Sequence, residues 1–213
     1  MAKLKRIIRS KKLVVLLAPA LVIALLVAWS TKTSPDGPIT PAITQSTDQP
    51  AEIAPKKDAY KWVGADEDPK YITLPTISAE GYVQKAGVDQ HNQIAVPNNI
   101  YMAAWFNKSA QPSKPGLSII DGHVNGRVND GIFKNLDKLK TGDIYTVQFG
   151  SGAEKKFKVF KLETVPTQEA VNVLFSQDPT VPSQLNLITC AGTFDTNTHA
   201  YDKRLIVSSA YLP

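Results

Sequence analysis

Short runs of β-branched and aromatic residues recur through the C-terminal two thirds of the chain, and they constrain its fold more than any other feature. Glycine, proline, asparagine and aspartate separate the runs, as is typical between short strands. The runs are 71–74, 118–120, 144–149, 157–160, 185–189 and 205–207. About 140 residues with so many short strands favour one closed or nearly closed β-barrel over an α/β sheet.

Local signals add one turn and a little helix. Gly150-Ser151-Gly152 separates two of the runs, which predicts a β-hairpin. Thr167 precedes an apolar-periodic stretch at 168–175, which predicts a short helix with Thr167 as its N-cap. Residues 133–136 could form a single helical turn. We therefore predict an all-β domain over 70–213 with one or two short helices.

The N-terminus has the pattern of a membrane anchor. Residues 13–29 carry no charge, and as a helix they would span roughly 25 Å, the short end of what crosses a bilayer. The preceding segment, 1–12, carries six cations, so the positive-inside rule predicts a cytoplasmic N-terminus and an extracellular remainder. A cleaved signal peptide is the alternative, since Ala28-Trp29-Ser30 loosely resembles a cleavage site. The length of the apolar run favours the uncleaved, single-pass anchor.

Residues 30–69 have a different composition, with six prolines and many Ser, Thr, Gln and Asp residues. Such a stretch buries too little apolar surface to offset its ordering entropy, so it is typical of a linker. Its acidic cluster at 66–68 lacks the spaced oxygen ligands of a calcium loop and reads as a solvated turn. The linker would hold the domain away from the membrane.

Charge and cysteine content exclude several classes of function. The net charge is +5, but the six cations of 1–12 account for it, and a nearly neutral body argues against a nucleic-acid partner. The single cysteine excludes an internal disulfide and thiolate-rich zinc or iron-sulfur sites. We expect neither a metal nor a cofactor.

Two scarce residues, Cys190 and His123, are the first candidates for chemistry. Cys190 ends the run at 185–189 and is followed by Ala-Gly, so a substrate carbonyl could reach its sulfur. A buried structural cysteine is the alternative. His123 follows a short apolar run between glycines, and imidazole is the natural proton carrier for a thiol. The pattern around His91 is typical of an exposed turn, and His199 is an alternative candidate for the proton carrier. Any of the three histidines could also be an ordinary surface or core residue.

Arginine supplies the third candidate. Arg204 and Arg127 are the two arginines outside the basic N-terminus, and Arg204 opens the run at 205–207. That strand could fold back beside the one that ends in Cys190, which would place a cation near a developing oxyanion. A surface salt bridge with Asp195 or Asp202 is the alternative.

The sequence resembles the sortase family over most of 71–213. The resemblance depends on Gly122-His123-Val124, on Leu187-Ile188-Thr189-Cys190 and on Arg204, in that order. The family's cysteine motif is usually Thr-Leu-x-Thr-Cys, and Asn186 departs from its first position. Residues 71–77, 115–123 and 190–195 look most like the single-domain sortases of classes E and F.

The resemblance implies an eight-stranded β-barrel in which Cys190, His123 and Arg204 converge. It implies a cysteine transpeptidase that cleaves an LPXTG-like C-terminal sorting signal between Thr and Gly. Cys190 would be the nucleophile, Arg204 would hold the oxyanion or a signal carbonyl, and His123 would protonate the leaving amine. Thr189 would lie beside the nucleophile at the substrate. Partners would be secreted proteins with such signals and an amine from a peptidoglycan precursor or a pilin.

The resemblance also implies a substrate groove in which Cys190, His123 and Arg204 converge. The segments 165–184 and 191–203 would form the walls of that groove. Two alternatives to a sortase remain open. An L,D-transpeptidase is disfavoured because its Ser-x-Gly-Cys-x-Arg motif is absent around Cys190. An anchored β-barrel that only binds peptide signals or cell-wall components would carry an inert thiol.

Overall fold

The structure is a computed structural model that describes residues 50–57, 59–89 and 93–213. Within them, eight strands form a closed barrel with one short α-helix, as the sequence predicts. The strands are β1 (Pro69–Leu74), β2 (Ala79–Ala86), β3 (Ala103–Phe106), β4 (Gly116–Gly122), β5 (Ile144–Phe149), β6 (Glu154–Pro166), β7 (Ser183–Asp195) and β8 (Ala200–Leu212). The helix is α1 (Ala170–Leu174), and 3₁₀ turns cover Pro75–Ile77, Leu136–Lys138 and Thr167–Glu169.

Around the barrel the strand order is β1-β2-β3-β4-β7-β8-β6-β5, with β5 closing onto β1. Neighbouring strands are antiparallel except at β2–β3 and β4–β7, which are parallel. Parallel strands end at the same edge of a sheet, so the residues that follow β4 lie near the C-terminal part of β7. This pairing joins two parts of the chain that are distant in sequence.

All six predicted runs lie within strands, namely β1, β4, β5, β6, β7 and β8. The predicted hairpin is the β5–β6 connection, where Gly152 has a φ of 86° and donates its N–H to the Phe149 carbonyl at 2.9 Å. Strands β2 and β3 were not predicted, because Ala, Glu and Lys in β2 and two alanines in β3 have low strand propensity. Their barrel neighbours impose the extended conformation.

The barrel interior contains most of the large apolar side chains. Tyr145, Phe157, Leu185 and Leu187 are at most 1% exposed there. A second apolar cluster lies on the outer face of β4, β7 and β8 under α1, and it contains Ile119, Ile206, Ala170 and Leu174, with Ile188 packed against it. Strands β4 and β7 are therefore buried on both faces, which explains their nearly continuous apolar runs.

The prediction that Thr167 caps a helix is wrong. A 3₁₀ turn begins at Thr167 and passes into α1, and no side chain caps either element. The Thr167 hydroxyl instead donates a hydrogen bond to the Tyr201 carbonyl at 3.0 Å and accepts one from Arg204. Its partners come from β8, which sequence spacing does not reveal.

Part of the predicted linker lies on the barrel. Trp62 donates its indole N–H to the Val83 carbonyl at 2.9 Å. Asp66 and Glu67 are exposed, as predicted, whereas Asp68 is 4% exposed and forms an ion pair with Lys85 at 3.0 Å. Among the described residues, no helix has the length and apolar character to span a bilayer. The predicted anchor, 13–29, lies outside them.

Candidate active site

Cys190 and Arg204 are directly opposite each other across the antiparallel β7–β8 pair. Leu187 and Leu205 point into the barrel interior. Since side chains alternate between the two faces of a strand, Cys190 and Arg204 lie on the outer face. The structure therefore contains the predicted arrangement, in which the strand that carries Arg204 folds back beside the strand that carries Cys190.

His123 directly follows β4, which runs parallel to β7. Asp121 is paired with Ile188, so His123 and Cys190 are each two residues further along neighbouring strands. Three adjacent strands, β4, β7 and β8, thus bring His123, Cys190 and Arg204 to one end of the outer face. The three residues that the sequence predicts are brought together.

Thr189 fixes the relative position of these strands. Its side chain is 3% exposed, and its hydroxyl donates a hydrogen bond to the Gly122 carbonyl at 2.7 Å. A hydroxyl in that position holds the backbone before His123 against the backbone before Cys190. The contact of Thr189 with a substrate stays a prediction.

The imidazole of His123 is held by a backbone carbonyl. Its Nε2 lies 2.8 Å from the Pro97 oxygen, in the connection between β2 and β3. A carbonyl only accepts hydrogen bonds, so Nε2 must carry a hydrogen in this arrangement. Among the described residues, no hydrogen bond involves Nδ1, which is therefore the ring nitrogen that can exchange a proton with the site.

Arg204 is held through one end of its guanidinium. Nη1 donates to the Thr167 hydroxyl at 3.0 Å, the Tyr201 carbonyl at 3.1 Å and the Lys203 carbonyl at 2.8 Å. No hydrogen bond within the described part of the chain uses Nη2 or Nε. Because a guanidinium has five N–H donors, this leaves donors for a substrate carbonyl or an oxyanion.

The alternative of a surface salt bridge for Arg204 does not fit. Asp202 Oδ1 accepts the Thr193 N–H at 2.7 Å, and Asp195 Oδ1 accepts the Asn197 N–H at 2.8 Å. Neither carboxylate forms an ion pair with Arg204 among the described residues. The guanidinium charge therefore remains available to the Cys190 side of the hairpin.

Asp121 is a member of the site that the sequence analysis missed. It lies on the same outer face as His123, two residues before it, and its Oδ1 accepts the Gly122 N–H at 2.6 Å. Burial raises the pKa of the Asp121 carboxyl, while the charges of His123 and Arg204 and the Gly122 hydrogen bond oppose this rise. The only sequence signal was an acidic residue adjoining Gly-His, and Asp-Gly reads equally well as a turn.

The Cys190 thiol lies in an environment that disfavours its thiolate. Burial raises its pKa, Arg204 opposes that rise, and the nearby Asp121 carboxylate adds to it. The thiolate, which is the nucleophilic form, is therefore the minor form of the resting site at neutral pH. The structure places Arg204 where it can stabilise that minor form.

The floor beside this row of residues is apolar. Ile188 and Ile206 are paired across β7 and β8, two residues along each strand from Cys190 and Arg204 and on the same face, and Ile119 lies on β4. Helix α1 covers the cluster with Ala170 and Leu174. Ile119 and Ile206 are at most 1% exposed beneath α1, so of these three side chains only the partly buried Ile188 presents apolar surface next to Cys190.

The other candidate residues lie away from this row. His199 is exposed at the tip of the β7–β8 hairpin, five residues from Arg204 and thus roughly 16 Å along the strand. Arg127 is exposed in the connection after His123. His91 lies outside the described residues. Strand pairing places neither His199 nor Arg127 beside Cys190.

Neither of two surface cavities contains the row. One, of about 320 Å³, lies on the outer face of β1 and β5 and is lined by Lys57, Lys70, Tyr71 and Tyr82 among others. The second, of about 250 Å³, lies near Lys114 and Tyr211. Within residues 50–57, 59–89 and 93–213, no group of three or more His, Cys, Asp or Glu residues could hold a metal ion.

Comparisons with solved structures agree with this fold. The chain resembles a lid mutant of sortase A from Corynebacterium diphtheriae, with 23% identity, a TM-score of 0.53, and 68% of this chain and 70% of that chain covered. It resembles sortase C-1 from Actinomyces oris, with 23% identity, a TM-score of 0.52 and coverage of 70% and 75%. For sortase C1 from Streptococcus agalactiae the values are 20%, 0.51, 69% and 68%. At these identities the likeness concerns the fold.

The sequence itself matches a family model. No curated protein sequence matches the chain. The model of the sortase domain, however, matches residues 72–211, which include every strand except part of β1 and the last residue of β8. Because that match covers well over half of the chain and includes Cys190, His123 and Arg204, the chain belongs to the sortase family, a family of cysteine transpeptidases.

Proposed function

We propose that this protein is a membrane-anchored sortase that cleaves an LPXTG-like sorting signal between Thr and Gly and transfers the protein to an amine. The observation that carries the proposal is the row of His123, Cys190 and Arg204 at one end of the outer face of β4, β7 and β8. The nearly neutral charge of the chain after residue 12 suits a largely uncharged signal.

In the first step, the Cys190 thiolate attacks the threonine carbonyl and forms a C–S bond. The carbonyl oxygen becomes an oxyanion, which Arg204 stabilises with its free N–H donors. The C–N bond to glycine then breaks, and the His123 imidazolium gives its Nδ1 proton to the leaving amine. The products are a thioester on Cys190, a neutral His123 and a released glycine amine.

In the second step, an incoming amine attacks the thioester. Neutral His123 accepts a proton from that amine, the C–S bond breaks, and the Cys190 thiolate leaves. A new amide bond joins the signal's threonine to the acceptor. The acceptor is an amine of a peptidoglycan precursor or of a pilin, so the overall result is covalent attachment to the cell wall or to another pilin. Water as the acceptor would give simple hydrolysis.

The location is part of the same proposal. The six cations of 1–12 followed by the uncharged 13–29 support a cytoplasmic N-terminus, a single span and an extracellular catalytic domain. Such a domain would meet secreted proteins and the amine acceptor at the same surface. The assignment to classes E and F also stays a prediction. Which of the LPXTG and LAXTG peptides the enzyme prefers would test it.

The test uses the full chain purified in detergent and followed by intact-mass spectrometry. We expect a peptide adduct on Cys190 with an LPXTG or LAXTG peptide, and triglycine should discharge that adduct into a ligated product. No adduct with either peptide, from protein whose thiol still alkylates and whose fold is intact, would favour a barrel that only binds signals.

Variants separate the proposed roles. Cys190→Ala should form no adduct, and His123→Ala should form none above background. Arg204→Ala should slow acylation by about 10²-fold or more, as expected for loss of an oxyanion donor. Arg127→Ala is the matched control and should retain full activity, whereas His199→Ala should only weaken it. Full activity in His123→Ala would overturn the assignment of the proton carrier.

A further inference from the structure

A short segment before β1 runs beside the connection between β2 and β3. We define residues 51–53 as the N-terminal strap. Ala51 donates its N–H to the Asn98 carbonyl at 3.0 Å and accepts the Ile100 N–H at 3.2 Å, in a parallel bridge with Asn99. Asn99 also donates its side-chain amide to the Ile53 carbonyl at 2.9 Å. The strap is therefore fixed to 98–100.

The middle residue of the strap, Glu52, reaches a second connection. Its Oε1 accepts the Arg127 N–H at 2.5 Å, and its Oε2 accepts from Asn129 Nδ2 at 3.1 Å. Hydrogen bonds to a carboxylate are stronger than those between neutral groups. A Cβ added at Gly126 would collide with Glu52 Oε1, so the absence of a side chain there makes room for the carboxylate.

The connection that Glu52 holds is the one that leaves His123. It folds back on itself, because Gly131 donates to the Val124 carbonyl at 3.0 Å and Phe133 donates to the His123 carbonyl at 3.0 Å. A Cβ added at Gly131 would collide with the His123 backbone. The position of His123 is thus tied to the conformation of 124–131, with Glu52 at its tip.

The other support of His123 is also next to the strap. The Pro97 carbonyl that holds His123 Nε2 is followed directly by Asn98, the residue that accepts the Ala51 N–H. The strap consequently contacts both groups that orient the imidazole: the segment that holds its ring and the segment that continues its backbone. Among the described residues, no hydrogen bond or ion pair joins the strap to Cys190 or Arg204.

We propose that Glu52 is a positioning residue for His123, and that the N-terminal strap makes proton transfer in this site depend on the chain before the barrel. The inference rests on the proposed function, because it concerns the same reaction. Glu52 would act through the two segments around His123 without touching the substrate. A displacement of the imidazole by about 1 Å is enough to cost up to about 10²-fold in rate.

The kinetic test uses the full chain in detergent with the better of the two signal peptides and triglycine. For Glu52→Ala we expect kcat to fall about tenfold or more while KM for the peptide stays within about twofold, because Glu52 acts on the position of His123 and does not touch the peptide. Glu52→Gln keeps an oxygen that can accept the Arg127 N–H, and it should recover most of kcat. Glu67→Ala, a change at an exposed glutamate before β1, is the matched control and should behave like wild type.

A second readout needs no substrate. In Glu52→Ala we expect faster amide hydrogen exchange at Arg127 and altered ring-nitrogen NMR signals of His123, with the thermal unfolding midpoint close to that of wild type. If the wild-type chain forms no thioester, the proposed function fails, and these two signals still decide the positioning role. Unchanged His123 signals, full kcat in Glu52→Ala, or equal loss in Glu52→Gln would each overturn the inference.

Discussion

The Asp121 carboxyl lies near the Cys190 thiol, and its charge affects how much of that thiol is ionised at a given pH. Burial is the largest cause of the raised pKa of Cys190; Arg204 opposes the rise, and the Asp121 carboxylate adds to it. The site therefore contains a negative charge that works against formation of the thiolate, yet Asp121 is also attracted by His123 and Arg204. At the scale of single residues, reactivity depends on the balance of these charges around the sulfur.

Removal of the Asp121 charge should make Cys190 reactive at lower pH. In Asp121→Asn the amide oxygen can still accept the Gly122 N–H, but the negative charge is gone, so the pKa of Cys190 falls. The measurement is the rate of alkylation of Cys190 by iodoacetamide against pH, and we expect its midpoint to move to lower pH. Asp137→Asn, at an exposed position, should leave the profile in place. A midpoint that moves upward would contradict this view of Asp121.

The sequence predicts some of these residues and not others, for a physical reason. Cys190, His123 and Arg204 stand out because their residue types are scarce and each adjoins an apolar run. Asp121 and Glu52 do not, since acidic residues are common and their roles depend on strand pairing and on a contact between Glu52 and Arg127, 75 residues apart in the chain. Only the fold brings such groups together.

One polar side chain, Asn186, helps to hold α1 against the barrel. Asn186 of β7 is fully buried, donates its amide to the Leu174 carbonyl at the end of α1 at 2.8 Å, and accepts from Gln184 at 2.9 Å. It is the position at which the sequence departs from the family's usual cysteine motif. With only five residues, α1 has little stability of its own, so this contact and the apolar cluster keep it on the barrel.

Loss of the Asn186 side chain should destabilise the protein and loosen α1. In Asn186→Ala the Leu174 carbonyl and the Gln184 amide lose a buried partner, for which we expect a loss of about 1 to 3 kcal/mol in the free energy of unfolding. Urea denaturation measures this loss. Asn172→Ala, on the exposed side of α1, is the control and should change the free energy of unfolding by less than about 0.5 kcal/mol. Equal losses in the two variants would show that the Asn186 side chain does not hold α1 on the barrel.

The sequence predicts a strand correctly where the residues of that strand themselves favour an extended conformation. The runs in β4 and β7 are rich in Leu and Ile because both faces of these strands are buried, and they are therefore recognisable as strands. Strands β2 and β3 were missed because barrel neighbours, and not their own composition, make them extended. The 3₁₀ turn at Thr167 was misread for a similar reason, since its hydroxyl bonds to β8.

At the scale of the whole molecule, the barrel depends on a packed aromatic centre. Phe157 is fully buried, lies 5.7 Å from Tyr145 in a nearly parallel arrangement, and lies 5.7 Å from Tyr211. These rings come from β5, β6 and β8, so they connect the strands that close the barrel. Arg204 shares β8 with Tyr211 but lies on the outer face, while Cys190 belongs to β7 and His123 directly follows β4.

Replacement of Phe157 by alanine should therefore lower the free energy of unfolding and leave the reaction at Cys190 unchanged. For Phe157→Ala we expect a loss of about 3 to 5 kcal/mol in the free energy of unfolding, a large share of the stability of an ordinary domain. Urea denaturation followed by tryptophan fluorescence measures it, and kcat per folded molecule should be unchanged. Val171→Ala, at a side chain that is 62% exposed, should cost less than about 0.5 kcal/mol. A loss below about 1 kcal/mol in Phe157→Ala would show that the centre can collapse around the gap.

The parallel pairing of β4 with β7 also has a consequence for how the chain folds. The hydrogen bond from Thr189 to Gly122 joins residues 67 positions apart, and such long-range pairings make folding slow. The site cannot exist before these strands meet, so every newly made molecule passes through a period in which its thiol is exposed and catalytically idle. Because Cys190 is the only cysteine, no intermediate can trap itself in an internal disulfide during that period.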